Sequence, residues 1–278
     1  MTNPSPGQKI RPSAIAGAWY PGTASKLAQT VDEFLAKAPI PPVSGRLLGL
    51  IAPHAGYVYS GQVAAYAYRQ LKGLHFDTVA VISPLHRTYA GHFVTSGCSF
   101  YETPLGLVEI DADRVEALSD RLPLSYLQSD DEHSLEIQLP FLQRTLGDFK
   151  LIPVMQGDQS LAASEVLSAA LADVLTGQQA LLVASTDLSH FYPYERAVRL
   201  DRTVVDYINS YDPTGLNAAL ERGTVEACGG GPVVAAMLAA RVLGADRARV
   251  LHYANSGDVT GDRSRVVGYL AGMIYQAA

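Results

Sequence analysis

Short, unbroken apolar runs alternate with longer amphipathic stretches along almost the whole chain. The runs at 47–52 (LLGLIA), 78–83 (TVAVIS), 151–155 (LIPVM) and 180–185 (ALLVAS) read as strands covered on both faces. Between them, 61–71 sets Ala, Tyr and Val on one helical face, and 165–175 has a helical pattern too. Segments 93–101 and 107–110 flank a Thr-Pro turn and predict an antiparallel hairpin. Segments 250–253 and 266–275 add strands on either side of a Gly-containing loop. No internal repeat, low-complexity tract or linker divides the chain. The expectation is one α/β domain over 1–278, with a mostly parallel central sheet and helices on both faces.

Composition narrows the function classes. The 278 residues are 48% hydrophobic and 17% charged, an ordinary globular balance that needs no structural metal or disulfide to fold. With a net charge of −6 and Lys and Arg scattered singly, the chain lacks the basic stripe of a nucleic-acid binder. The N-terminal stretch MTNPSPGQKIRPSA is polar, and no run is long enough to span a bilayer, so a cytoplasmic protein without membrane contact is expected. Cys98 and Cys228 are too far apart in sequence for a CxxC or zinc-ribbon pattern, and a reduced interior suits them.

Candidate chemistry gathers at strand ends. His54 follows the run LLGLIA, His86 follows TVAVIS, and Asp187 and His190 follow ALLVAS. Ligands of open α/β sheets bind beyond the carboxyl ends of the strands, so three separate loops can deliver imidazoles to one edge. Cys228 opens the stretch ACGGGP, a Gly-rich turn feeding a helix with Pro232 in its first turn. Beside a helix N-terminus a thiolate is favoured, the form that binds metals; the alternative is a small residue buried in a tight turn. In SDDEHSLE, Ser129 and Glu132 have capping-box spacing, and Glu132 and Glu136 would share a helix face. Glu132, His133 and Arg87 are candidate substrate-binding residues. His75, His92, His252 and Cys98 have no supporting neighbours, and the loop 255–264 either connects two strands or lines the pocket.

The set APHAGYVYSG, ISPLH, DEHSLEIQLPF, STDLSH, ACGGGP and YANSGDVTGDRS resembles the Memo family, called AmmeMemoRadiSam system protein B in prokaryotes. The resemblance runs from AIAGAWYPG to the C-terminus. It implies a fold similar to the class III extradiol dioxygenases, which are non-haem iron enzymes, and a site for one transition metal ion on His54, His86 and Cys228. It also places His190 where those dioxygenases keep an acid/base histidine, with Asp187 beside it. Where the dioxygenases use a carboxylate as third ligand, this chain has Cys228, and a soft thiolate turns preference toward copper(I), zinc or a less typical iron site. The motif PLHR also has Arg87 where the animal proteins carry a second histidine.

Two functions are therefore expected. One is a metal-dependent redox or oxygen-activating enzyme with His190 as proton shuttle. The other is a binding protein for a peptide or small acidic ligand, the role linked to animal relatives. A zinc hydrolase is a weaker third. The family name further implies radical SAM and AMMECR-type partners.

Overall fold

A computed structural model describes residues 7–39, 45–87 and 90–278. Strand β1 (Ile10–Arg11) leads to helix α1 (Ala24–Lys37), whose Leu27, Val31 and Leu35 recur every four residues and are all buried. Then come β2 (Gly45–Ala52), α2 (Tyr57–Tyr68) and β3 (Thr78–Pro84). The region from 93 to 127 supplies β4 (Phe93–Ser96), β5 (Phe100–Thr103), β6 (Gly106–Glu109), α3 (Ala112–Ser119) and β7 (Leu124–Leu127). Two short helices, α4 (His133–Glu136) and α5 (Leu139–Leu146), precede β8 (Lys150–Gln156), α6 (Leu161–Leu175) and β9 (Ala180–Ser185). The chain continues through β10 (His190–Tyr192), α7 (Tyr194–Asn209), α8 (Pro213–Glu221) and α9 (Gly230–Val242). It closes with β11 (Arg247–Asn255), α10 (Ser256–Thr260) and β12 (Val266–Ala277).

One nine-stranded sheet carries the domain, in the order β10-β12-β2-β9-β3-β8-β4-β7, with β11 also on β12. Its centre is parallel through β2, β9, β3 and β8. The expected mostly parallel sheet is corrected here, because β12 runs antiparallel to β2, β10 and β11, and β4 antiparallel to β8. The cause is local: β11 and β12 are joined by the short α10 segment, too brief for the crossover a parallel pairing needs. The expected hairpin splits as well. β5 and β6 form it, pairing in a separate three-stranded sheet with β1, while β4 joins the main sheet.

Both faces are covered. Every residue of β3 and β9 is buried, which requires packing from two sides. Helix α2 packs on β2 and β12 and gathers α1 and α5; helix α9 packs on β9, β3 and β2 and gathers α6 and α8. No helix among the described residues is long and apolar enough to cross a membrane. Because β2, β9 and β3 are parallel neighbours, their carboxyl ends lie side by side, and the chain turns there into the loops carrying His54, Asp187 and His86.

Candidate metal centre

His54 and Cys228, 174 positions apart, meet with Nε2 and Sγ 3.0 Å from each other. With His86 they form a group whose ligand atoms all lie within 4.8 Å of one another. The structure thus brings together all three residues singled out as a metal set.

Each imidazole is held by its other nitrogen. The Ser185 hydroxyl at the end of β9 donates to the Ser134 carbonyl at 2.6 Å, so its oxygen is left to accept. It accepts from the Gln138 amide at 2.8 Å and from His54 Nδ1 at 2.9 Å. His54 is therefore the Nδ1–H tautomer, with the Nε2 lone pair turned to Cys228. His86 follows the same logic with a carboxylate. Its Nδ1 lies 3.0 Å from Glu132 Oε1, and its backbone N–H donates to Oε2 at 2.7 Å. Burial alone would raise the Glu132 pKa, but these bonds, with that from Ser134 N–H, hold its carboxyl well below the usual range.

Cys228 is seated by backbone. Its N–H donates to the Asp187 carbonyl at 3.2 Å, and the Asp187 N–H points at its sulfur at 3.2 Å. The contact depends on Gly229: a Cβ there would lie 2.0 Å from the Ser185 carbonyl oxygen. The glycine run serves close approach of α9 to the end of β9, and Gly230 and Gly231 are likewise pressed against Leu220 and Gln159. The expected thiolate does not hold for the metal-free pocket. Burial first, and then the Asp187 carboxylate, push the Cys228 thiol up, outweighing the N–H groups around it. A soft cation at this point would replace that proton.

The remaining candidates fall around this core. Asp187 is buried, and its carboxylate accepts the His54 backbone N–H at 2.8 Å. Burial pushes its pKa up to about 7 despite bonds from the backbone of His54 and Ala55. Among the described residues it makes no hydrogen bond to the His190 ring, so it positions the His54 loop instead. His190 lies outside the ligand group but lines the same cavity as His54 and His86. Burial lowers its pKa, with the Leu188 backbone and Glu226 opposing. His133 stacks on His86 with centroids 4.8 Å apart and meets Trp19 at 4.3 Å with the rings tilted by 43°. Its buried Nδ1 lies 3.3 Å from Glu132 Oε1 without a hydrogen bond, and burial brings its pKa down to about 4 with Glu132 opposing. Arg87 lines the cavity too but is exposed and pairs with Asp131 at 3.1 Å.

Two sequence expectations change. Glu132 does not form a capping box with Ser129. It is itself the N-cap of α4, accepting the Ser134 N–H at 3.0 Å, and its carboxylate also binds His86. Glu136 does not share its surroundings, being bound by Ser13, Tyr20 and Arg11. Sequence reasoning missed Ser185, Gln138, Trp19, Tyr59 and Tyr269. Ser185, Gln138, Tyr59 and Trp19 stand in the stretches STDLSH, DEHSLEIQLPF, APHAGYVYSG and AIAGAWYPG already quoted, without being singled out there; Tyr269 lies outside them all.

The cavity beside the imidazoles measures about 590 Å³, with Trp19, Tyr59 and Tyr269 among its walls. A second, of about 580 Å³, reaches Cys228 and His190 from the other side, past Gln159 and Glu226. Fold and site together define an α/β protein with a mixed sheet, in which strand-end imidazoles and a helix-start thiol converge on one point.

A family model described as Memo-like protein matches residues 11–273. A MEMO1 family protein of Methanothermobacter thermautotrophicus is 38% identical over 274 residues, covering 94% of this chain and 98% of its own. One from Methanosarcina mazei is 37% identical, with 95% and 98% covered. The chain belongs to the Memo-like family. A crystal structure of an uncharacterized Escherichia coli K12 protein has a similar fold, with a TM-score of 0.56 at 14% identity, covering 82% of this chain and 100% of that one.

Proposed function

We propose that the protein is a metal-dependent redox or oxygen-activating enzyme, related to the class III extradiol dioxygenases, with one transition metal ion on His54, His86 and Cys228. The observation that carries this reading is the pairing of two Nε2 lone pairs, each fixed by an Nδ1–H bond, with a sulfur 3.0 Å from one of them. Imidazole and thiolate suit iron(II), copper(I) or zinc and exclude a magnesium or calcium site. Such an ion would supply an electron-transfer or Lewis-acid centre with open positions toward the cavity.

The chain's own residues do the rest. Ser185 and Glu132 keep both rings in the ligating tautomer. His190, whose imidazole burial makes easier to deprotonate, takes or returns a proton at the cavity wall. Trp19, Tyr59 and Tyr269 exclude water and hold an apolar substrate body.

Elemental analysis of protein purified without oxygen tests the proposal. About one iron or copper per chain is expected, lost in Cys228→Ser and retained in Cys98→Ser; restoring it should enable oxygen uptake with substrate. Only trace metal in the unaltered protein, or equal metal in Cys228→Ser, would sink it. The aromatic cavity also favours a second reading, a peptide- or acid-binding protein. Ligand capture of equal affinity with and without metal would make that reading the better one.

A further inference from the structure

Strand β10 is distorted at its middle residue. His190 pairs with Val267 and Tyr192 with Val266, so the register slips at Phe191, which adopts φ 64°. Left-handed backbone is costly for a bulky residue and persists where surrounding structure enforces it. The result is that Phe191 is turned outward and stands 59% exposed, immediately after His190.

Phe191 lines a third cavity, of about 350 Å³, together with Ser256, Asp262 and Arg265. Tyr59, Val267 and Tyr269 are walls of both this cavity and the imidazole cavity, so the two adjoin along a shared aromatic edge. Val58 and Tyr59 extend the exposed apolar rim, at 70% and 42% exposure. Arg265 lies over the Phe191 ring, 5.2 Å from its centroid. Arg265 is exposed and, among the described residues, has no acidic partner within ion-pair distance, as is true of Arg196, Arg241 and Arg263 as well. The nearby Asp262 carboxylate is turned onto Ser264, accepting its N–H at 2.9 Å and its hydroxyl at 2.7 Å. An unpaired guanidinium at the far end of an aromatic channel is a receptor for a carboxylate or phosphate.

We infer that the two cavities are subsites of one cleft, and that its ligand is an elongated, aromatic or flat apolar molecule with an anionic end. The apolar end enters among Trp19, His133 and the imidazoles. The body crosses Tyr59 and Tyr269 to Phe191, and Arg265 holds the anion. Placing the reacting end at the imidazoles rests on the proposed function; the preference for an anion at Arg265 does not.

Trp19 is the single tryptophan of the chain and lines the cleft, so its fluorescence reports occupancy. The probes are ω-phenylalkanoic acids from phenylacetate to 6-phenylhexanoate, each beside its neutral amide, titrated into metal-free protein. At one chain length or more, the acid should bind about tenfold more tightly than its amide, the effect of one charge-assisted contact. Arg265→Gln should abolish that preference, whereas Arg263→Gln, which removes a guanidinium stacked on Tyr194, should keep it. Phe191→Gly should weaken acid and amide alike and leave their ratio unchanged. The inference is overturned if no acid outbinds its amide, if the preference survives Arg265→Gln, or if Arg87→Gln removes it instead. Metal content does not enter this measurement, so failure of the metal reading and failure of the anion subsite are separately visible.

Discussion

At the residue scale the site is built from oriented lone pairs. His54 is useful to a cation only while Nδ1 keeps its proton, and the buried Ser185 hydroxyl enforces this by spending its own hydrogen on the Ser134 carbonyl. Ser185→Ala should therefore free the ring to rotate and lower metal affinity by about 10- to 100-fold, the usual cost of losing such a partner. Glu132→Ala should do the same through His86 and should also loosen the start of α4, where Glu132 is the cap. Competition with a chromophoric chelator measures both. Affinity within twofold of the unaltered protein in Ser185→Ala would show that the ring is held by packing alone. The sequence pointed to His54, His86 and Cys228 because each sits beside a recognisable element end. Ser185 and Gln138 escaped because a buried hydroxyl or amide looks the same in sequence whether it holds a ligand or satisfies a carbonyl.

At the scale of elements, the site depends on how closely α9 approaches the end of β9. Gly229 has no room for a methyl group, since its Cβ would sit 2.0 Å from the Ser185 oxygen and 2.9 Å from Thr186 Cβ. Gly229→Ala should push the helix start away, take Cys228 out of reach of His54, and cost about 1–3 kcal/mol of overpacking. Urea denaturation checks the stability, and metal titration checks the displacement. A variant with full metal affinity would mean that the turn can rearrange without moving the sulfur. The central strands were legible because burial on both faces removes the polar alternation and leaves unbroken apolar runs, as at 78–83 and 180–185. Helix α2 was also legible but begins earlier than the pattern suggested, at Tyr57, and tightens into a 3-10 turn over Arg69–Leu71. Strand β10 was not legible at all: its three residues pair only because β12 passes alongside. Nor does periodicity show that β9 inserts between β2 and β3, since strand order is settled by packing across the sheet.

At the scale of the whole molecule, the pocket wall is contributed by a segment that follows β1 and is tied to α4. Residues 11–20 carry Trp19 over His133 and are held by the Glu136 carboxylate at the end of α4, and also by the bond from the Tyr57 N–H to the Trp19 carbonyl at 2.8 Å. Glu136 is fully buried and accepts from Ser13 Oγ at 2.5 Å, Ala14 N–H at 2.9 Å and Tyr20 Oη at 2.6 Å, besides the Arg11 guanidinium. Arg11 in turn reaches Asp130 at 2.7 Å and the Glu132 carbonyl at 2.8 Å, linking the fastening to the residue that orients His86. A buried charge pair of this kind adds little stability over an apolar core, but removing one partner strands the other. Glu136→Ala should therefore cost about 1–3 kcal/mol, because Arg11 loses one charge-assisted partner but keeps Asp130. Its second effect should be on the pocket: released from the wall, Trp19 becomes more exposed and its emission shifts to the red in the still-folded fraction. Arg11→Met is the discriminating companion, since it removes the cation while Ser13, Ala14 and Tyr20 can still hold the carboxylate. If the fastening acts as described, Arg11→Met keeps the Trp19 emission near that of the unaltered protein. A red shift of equal size in both variants would show instead that the Arg11–Glu136 pair alone holds the wall.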